Sequence, residues 1–240
     1  MTISIIVPTY KEKDNIKNLI SKINSEIEVK SIIIVDDSPE KEIEQEISQF
    51  NNVIYIHRGK KLGRGSAILE GLKCSLNDNY NKIFIEMDAD LSHEPNEIKT
   101  NINIFKKKNS DLLISSRYLS ESSIINWSIQ RKVFSYLANK LTKFLLKVPV
   151  SDYTNGYRIY SHQAADHIVR NCGRIGDGFI ILSEILVELY YNDFKIHETH
   201  SKFVNRVRGE SSVNLKEIIN SLIGLFKIYK LKKKIKQSFL

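Results

Sequence analysis

The chain has 240 residues, is 42% hydrophobic and 27% charged, and carries a formal net charge of +8 at pH 7, enough to bury a full core as one large domain or one domain with an appendage. Its two cysteines, Cys74 and Cys172, stand in no metal or redox spacing, which argues against a disulfide framework and fits a reducing compartment. Six histidines without cysteine company give no zinc set, no stretch reaches the roughly 18 uncharged apolar residues of a membrane span, and the basic residues lack the aromatic interleaving of a nucleic-acid reader.

From the N-terminus, Thr2 to Val7 runs directly into a strand-like segment with no charged leader or cleavage site. Short apolar runs then alternate with helical patterns. Strands are predicted at Ser4–Pro8, Ser31–Asp36, Val53–His57, Lys82–Met87 and Asp111–Ser115, with helices near Asp14–Ser25, Glu40–Phe50, Arg64–Leu76 and Asn96–Lys107. That alternation predicts an α/β fold with a mostly parallel, doubly wound sheet flanked by helices, whose ligand sits at the carboxyl ends of the strands.

Three polar clusters fall at such ends: Pro8-Thr9-Tyr10-Lys11-Glu12, Asp36-Asp37-Ser38, and Asp88 with Asp90. A strand alternates its faces, so Asp88 and Asp90 point to one side where the chain leaves the sheet. Paired hard oxygens there suit Mg²⁺ or Mn²⁺, which can bridge a substrate's phosphates. A D-x-D alone is more often a loop or a cap; it is the coincidence of three carboxylate-bearing loops at one edge that points to a ligand. A fourth loop, Gly59 to Gly65, opens the third helix, where glycines and free N–H groups allow close approach to phosphate. The G-x-G-x-x-G of dinucleotide-binding folds is absent from the first strand–helix turn.

The second half is less regular. Trp127–Val148 reads as a helix with a broad apolar face (Val133, Phe134, Leu137, Leu141, Phe144, Leu145) and basic residues elsewhere. A loop at Ser151–Gly156, a strand at Tyr157–Tyr160, helices at His162–Arg170 and Phe179–Tyr191, and a strand-like segment at Lys195–Val204 follow. From Ser211 onward there are seven lysines against Glu217, so +6 of the +8 lies in this tail, which also carries apolar residues at helical spacing. It is either packed on the domain with a solvated lysine end or laid on an anionic membrane surface. The domain reading is accordingly 1–210 for the main unit and 211–240 for a basic amphipathic C-terminal helix.

With these motifs in order, the chain resembles the inverting glycosyltransferases of family 2, and within them the dolichol-phosphate and polyprenyl-phosphate mannose synthases. The matching segments are Val7 to Glu12, Val35 to Ser38, Lys61 to Gly65, Met87 to Leu91 with His93, Ser116 to Tyr118, Arg131 with Ser135 and Asn139, Asp152 to Arg158, and Phe203 to Arg206 with Gly209 to Ser211. The resemblance implies a GT-A fold for residues 1–210 and a divalent cation, Mg²⁺ or Mn²⁺, held by Asp88 and Asp90. It further implies that Pro8, Tyr10 and Glu12 line a base pocket, that Asp37 contacts base or ribose, and that Arg117, Arg131, Ser135 and Arg206 surround the transferred group and the acceptor phosphate. Asp90, Arg117 and Arg131 are the expected catalytic residues. Asp152 would organise the site, and Arg158 would be a structural ion-pair partner.

Two positions depart from the family's pattern: Ser92 stands where Gln is common as a further metal ligand, and Ser212 where Lys often follows Gly-Glu-Ser. The activity implied is transfer of mannose from GDP-mannose to a polyprenyl (dolichyl-type) phosphate with inversion, at the cytoplasmic face of a membrane that the chain meets peripherally or through a separate anchoring subunit. Two alternatives stay open at this point. One is a family-2 transferase using UDP-glucose or another sugar nucleotide with a different acceptor; the other is a non-catalytic sugar-nucleotide-binding subunit at a membrane. No nucleic-acid partner is expected.

Overall fold

The computed structural model describes residues 2–77, 81–176, 178–205 and 215–238. The first half follows the alternating pattern: β1 (Thr2–Thr9), α1 (Lys13–Glu26), β2 (Ser31–Asp36), α2 (Glu44–Ile47), β3 (Val53–His57), α3 (Arg64–Leu76), β4 (Asn81–Glu86), α4 (Ile98–Lys107) and β5 (Leu112–Ser116). After it come β6 (Ser123–Ile125), α5 (Ile129–Leu146), β7 (Arg158–Ser161), α6 (His162–Asn171), α7 (Ile181–Tyr190), β8 (Ile196–His200), β9 (Lys202–Val204) and α8 (Leu215–Ser238). Seven strands form one sheet in the order β3-β2-β1-β4-β7-β5-β8, and β6 pairs with β9 in a second, two-stranded one.

The strands read as continuous apolar runs because both faces of the sheet are covered. In β1, Ile5 and Val7 pack into the layer of Ile16, Leu19 and Ile20 from α1 and Ile98 from α4. Ile6 between them points the other way, into the layer of Ile68 and Leu72 from α3 with α6 and α7. The β1–β2 and β1–β4 pairs are parallel, whereas β7 runs antiparallel between β4 and β5. The chain thus leaves β1 in one direction for β2 and β3 and returns on the other side for β4. The carboxyl ends of β1 and β4 flank that switch point, with Ile6 opposite Glu86.

The helix expected over Glu40–Phe50 shrinks to the four residues of α2. Glu40 with Glu44, and Glu42 with Glu46, would place like charges four apart on a helix, and only Ile43 and Ile47 are buried to offset that repulsion. The strand-like segment Lys195–Val204 is split into β8 and β9, and β9 with β6 forms a ribbon too short to show as periodicity. In α8, Leu225 and Ile228 are buried, and Lys232 Nζ donates to the Leu145 carbonyl at 2.8 Å.

Candidate functional site

Four loops converge above the switch point. At the end of β1, Thr9 Oγ1 donates to Asp36 Oδ1 (3.1 Å), and Lys11, at φ 59°, turns its N–H to Ser38 Oγ (2.9 Å). Asp36 is fully buried; its Oδ1 also takes the Ser38 N–H and hydroxyl, and its Oδ2 takes Tyr55 OH. Asp36 therefore ties the first two loops and β3 together. Asp37 faces the glycine loop. Its Oδ2 accepts the N–H groups of Leu62 (2.9 Å) and Gly63 (2.8 Å), and its Oδ1 is gripped by the Arg58 guanidinium. Gly63 stands at φ 99°, a conformation open to glycine and costly to other residues, and this sets the entry to α3.

Tyr10 is 38% exposed, with Lys61 Nζ 4.8 Å and Lys11 Nζ 5.6 Å from its ring centre. Glu12 precedes α1 without capping it by its side chain; Oε2 instead accepts from Asn15 Nδ2 at 2.8 Å. Pro8, Tyr10, Glu12 and Asp37 thus lie around the ends of β1 and β2.

The acidic pair sits beyond β4. Asp88 Oδ1 accepts two bonds from Arg64, from Nε at 3.0 Å and Nη2 at 2.7 Å, while Arg64 Nη1 reaches Glu86 Oε1 at 2.6 Å. Burial by itself would raise the Asp88 carboxyl, but the charge of Arg64, followed by His93 and the Arg64 hydrogen bonds, brings it down to about 2. Leu91 at φ 61° folds the loop back so that the Ser92 N–H meets Asp90 Oδ1 at 3.1 Å. The Ser92 hydroxyl is buried and has no hydrogen-bond partner among the described residues.

His93 locks the loop from below. Its Nδ1 accepts the Asp88 N–H (3.0 Å), so its Nε2 carries the proton and donates to Asn155 Oδ1 (3.0 Å). Its ring stacks on Tyr157 and meets the edge of Phe203.

The basic side of the site follows β5. Arg117 is buried and donates its N–H and Nε to Asp152 Oδ2 (3.0 and 2.8 Å) and Nη2 to Asp152 Oδ1 (2.8 Å). Burial works against both charges, yet each holds the other ionised: the Arg117 pKa is raised and the Asp152 pKa lowered. Ser128 Oγ caps α5 by accepting the Arg131 N–H, which puts Arg131 in the helix's first turn. The Arg131 guanidinium lies 4.1 Å from the centre of the Trp127 ring and donates to Asn205 Oδ1 at 3.1 Å. Arg117 approaches the same ring at 5.5 Å, so one indole supports both arginines. Ser135 Oγ accepts from Tyr118 OH at 2.6 Å.

Asp88, Asp90, Ser92, Arg117, Arg131 and Ser135 therefore belong to one neighbourhood, whereas Arg206 lies outside the described residues, as do Arg208 and Ser212. Arg158, expected in an ion pair, instead donates to the carbonyls of Asn155, Leu182 and Tyr153. Arg58, Arg64, Glu86 and Trp127 contribute to the site without being singled out by the sequence. Glu86 carried the clearest signal, since a carboxylate closing an apolar strand covered on both faces requires a cationic partner.

Beyond the site, the apolar face of α5 is turned outward. Ile129 (80%), Phe134 (56%), Leu137 (57%) and Phe144 (74%) are exposed over four turns, and Lys132, Lys140 and Lys143 flank them. No helix of the described residues is long and apolar enough to cross a membrane.

Residues 4–169 match the protein family described as "Glycosyl transferase family 2". The dolichol-phosphate mannosyltransferase of Pyrococcus furiosus is 32% identical over 237 residues, which are 96% of this chain and 64% of that protein. The chain thus spans a little under two thirds of that relative's length. The polyprenol monophosphomannose synthase of Mycolicibacterium smegmatis is 30% identical over 215 residues, 88% of this chain and 80% of that one. Among solved structures, the glucosyl-3-phosphoglycerate synthase of Mycobacterium tuberculosis, in complex with Mn²⁺, UDP-glucose and phosphoglyceric acid, superimposes with a TM-score of 0.68 at 16% identity, covering 95% of this chain and 80% of that one. At that identity the likeness is one of fold.

Proposed function

The chain belongs to glycosyl transferase family 2, and from that premise we propose that it transfers mannose from GDP-mannose to the phosphate of a polyprenyl (dolichyl-type) lipid, with inversion at the anomeric carbon. One observation carries this reading. The helix that holds Arg131 in its first turn and Ser135 one turn later presents an exposed apolar face flanked by lysines. A phosphate-binding end continuous with a lipid-compatible flank fits an amphiphilic acceptor. The names of the two relatives agree with it.

The donor lies across the ends of β1 and β4, its base toward Pro8, Tyr10 and Glu12. Asp37, gripped by Arg58, accepts the Leu62 and Gly63 N–H groups and so fixes the loop beneath the donor. The acidic loop fits a divalent cation. Asp88 and Asp90 provide hard oxygens, and the buried Ser92 hydroxyl has no hydrogen-bond partner among the described residues. Such a sparse set suits Mg²⁺ or Mn²⁺ completing its shell with substrate phosphates and water. Bound there, the ion would neutralise the departing nucleoside diphosphate.

Arg117, Arg131, Ser135 and Arg206 hold the acceptor phosphate on the opposite side of the sugar. An acceptor oxygen forms the new bond to the anomeric carbon as the bond to the diphosphate breaks in line. The phosphate is already anionic at neutral pH, so no general base is required. The negative charge of the attacking phosphate is met by groups fixed beforehand, with Arg117 clamped by Asp152 and Arg131 laid on Trp127. We further infer that α5 and the lysine-rich α8 rest on the cytoplasmic face of a membrane, with or without a separate anchoring subunit.

Radiolabelled GDP-mannose, UDP-glucose and UDP-galactose, each offered with a short polyprenyl phosphate and Mn²⁺ or Mg²⁺, test the assignment, with Asp90→Ala as control. Mannolipid formation is the expected product. Transfer from a UDP-sugar, or transfer only to a soluble acceptor, would overturn the proposed substrates, and unchanged activity in the control would overturn the metal assignment.

A further inference from the structure

Arg64 lies in the glycine loop, yet its side chain belongs to the acidic site, and besides its two bonds to Asp88 it makes contacts that do not involve Asp88. Nη1 bonds Glu86 Oε1 at 2.6 Å; Glu86 is fully buried, and its other oxygen accepts from Tyr160 OH at 2.6 Å. The guanidinium fills the space left by Gly156, where a Cβ would collide with Nη2. The Phe179 ring closes the remaining side, 5.3 Å from the guanidinium carbon. Tyr160, Glu86, Gly156 and Phe179 therefore hold Arg64 in place whatever happens at Asp88.

The bonds to Asp88 are one-sided. Both Nε and Nη2 go to Oδ1, while among the described residues Oδ2 is left with His93 Nε2 at 3.7 Å, too long for a hydrogen bond. The Asp88 N–H is meanwhile pinned to His93 Nδ1. With Oδ1 taken by both Arg64 donors, Oδ2 is the oxygen open to a cation. The trio of Glu86, Arg64 and Asp88 keeps one net negative charge, directed through a single oxygen.

We propose that Arg64 is a positioning residue that fixes Asp88 so that Oδ2 alone is presented to the divalent cation. This rests on the metal assignment of the proposed function and adds to it the residue that sets the ligand's orientation. A guanidinium serves here because two donors on one edge can hold a single oxygen while the third nitrogen anchors elsewhere, which a lysine ammonium cannot reproduce.

Arg64→Lys retains the charge and loses the side-on grip. Arg64→Leu with Glu86→Gln removes both buried charges together, so the second variant is not left with an orphaned carboxylate. Free Mn²⁺ would be followed by electron paramagnetic resonance during titration of each protein at saturating GDP, with GDP affinity measured separately in EDTA. Both variants are expected to bind Mn²⁺ about 10–100-fold more weakly, while metal-free GDP affinity stays within about twofold. Mn²⁺ affinity within about twofold of wild type in either folded variant would overturn the proposal, and tighter binding would make Arg64 a competitor for the site. Failure of both variants to fold would also count against it, placing Arg64 with the core. No Mn²⁺ binding by wild type would instead sink the metal assignment itself, a result the variants cannot mimic.

Discussion

Asp152→Asn tests the basic half of the site through stability alone, without a substrate. Asp152 is fully buried and accepts five hydrogen bonds of 3.1 Å or less: three from Arg117 and one each from the N–H groups of Thr154 and Asn155. Asparagine fills the same space but removes the charge and turns an NH₂ toward one set of donors. Adding five bonds at about 1.5–3 kcal/mol each would count the same desolvation several times. Removing one partner of a buried pair is the better guide, and it costs about 3–5 kcal/mol. For a chain of this size each kcal/mol moves the midpoint by about 2–4 °C, so Tm should fall by about 6–20 °C. Urea unfolding of Asp152→Asn, Arg117→Met and the double variant gives the coupling directly. The double variant should be more stable than the sum of the single losses predicts, because it leaves no unpaired charge. A single-variant loss below about 1 kcal/mol, or strict additivity, would refute the view that Asp152 exists to hold Arg117.

Other expectations follow from the same contacts. Gly156→Ala pushes a methyl into the Arg64 guanidinium and should cost about 1–3 kcal/mol in urea unfolding; no loss would mean that Arg64 has room to move. Asp88, held at about 2, and Asp152, also lowered, contribute stability above their ordinary range and lose it as the pH falls through their folded values. The gap in stability between wild type and Asp152→Asn should therefore narrow from pH 5 toward pH 2; a gap that widens with acid would contradict the sign. Phe134→Ser with Phe144→Ser removes two exposed rings from α5. At about 1.5–3 kcal/mol for each buried side chain, flotation with anionic vesicles should fall by on the order of 100-fold or more, while turnover of a short water-soluble acceptor persists. Equal recovery with vesicles would remove α5 from the membrane surface.

Much of this architecture is legible before any coordinates, for identifiable reasons. β2, β3 and α3 stand at the residues expected, because strands buried on both faces give unbroken apolar runs and the Gly63-Arg64-Gly65 turn marks a helix start. Asp88 and Asp90 are visible because two carboxylates end such a run. The α5 pattern states that one face is apolar but cannot say what covers it; a core helix and a surface helix share the same spacing, and only the exposure of Phe144 and Ile129 distinguishes them. The roles of Arg58 and Arg64 were hidden because a glycine loop draws attention to its backbone. Their partners Asp37, Glu86 and Asp88 lie 21 to 24 residues away, at or just beyond the ends of strands whose proximity is a matter of sheet order. Asp152 reads as a turn residue from its neighbours, and its grip on Arg117, 35 residues earlier, depends on the antiparallel return of β7.

That return has a consequence for synthesis on the ribosome. Both sheet neighbours of β5, namely β7 and β8, are encoded downstream of it, and β4 acquires its second neighbour only when Arg158–Ser161 arrive. The first four strands can associate as they emerge, but β4 then presents a raw edge and Leu112–Ser116 has nothing to zip against while some forty more residues are added. A nascent chain stalled in this interval is a candidate for clumping and for chaperone capture. The two halves of the candidate site, which hang from β4 and β5, can come together only after that late strand slots between them.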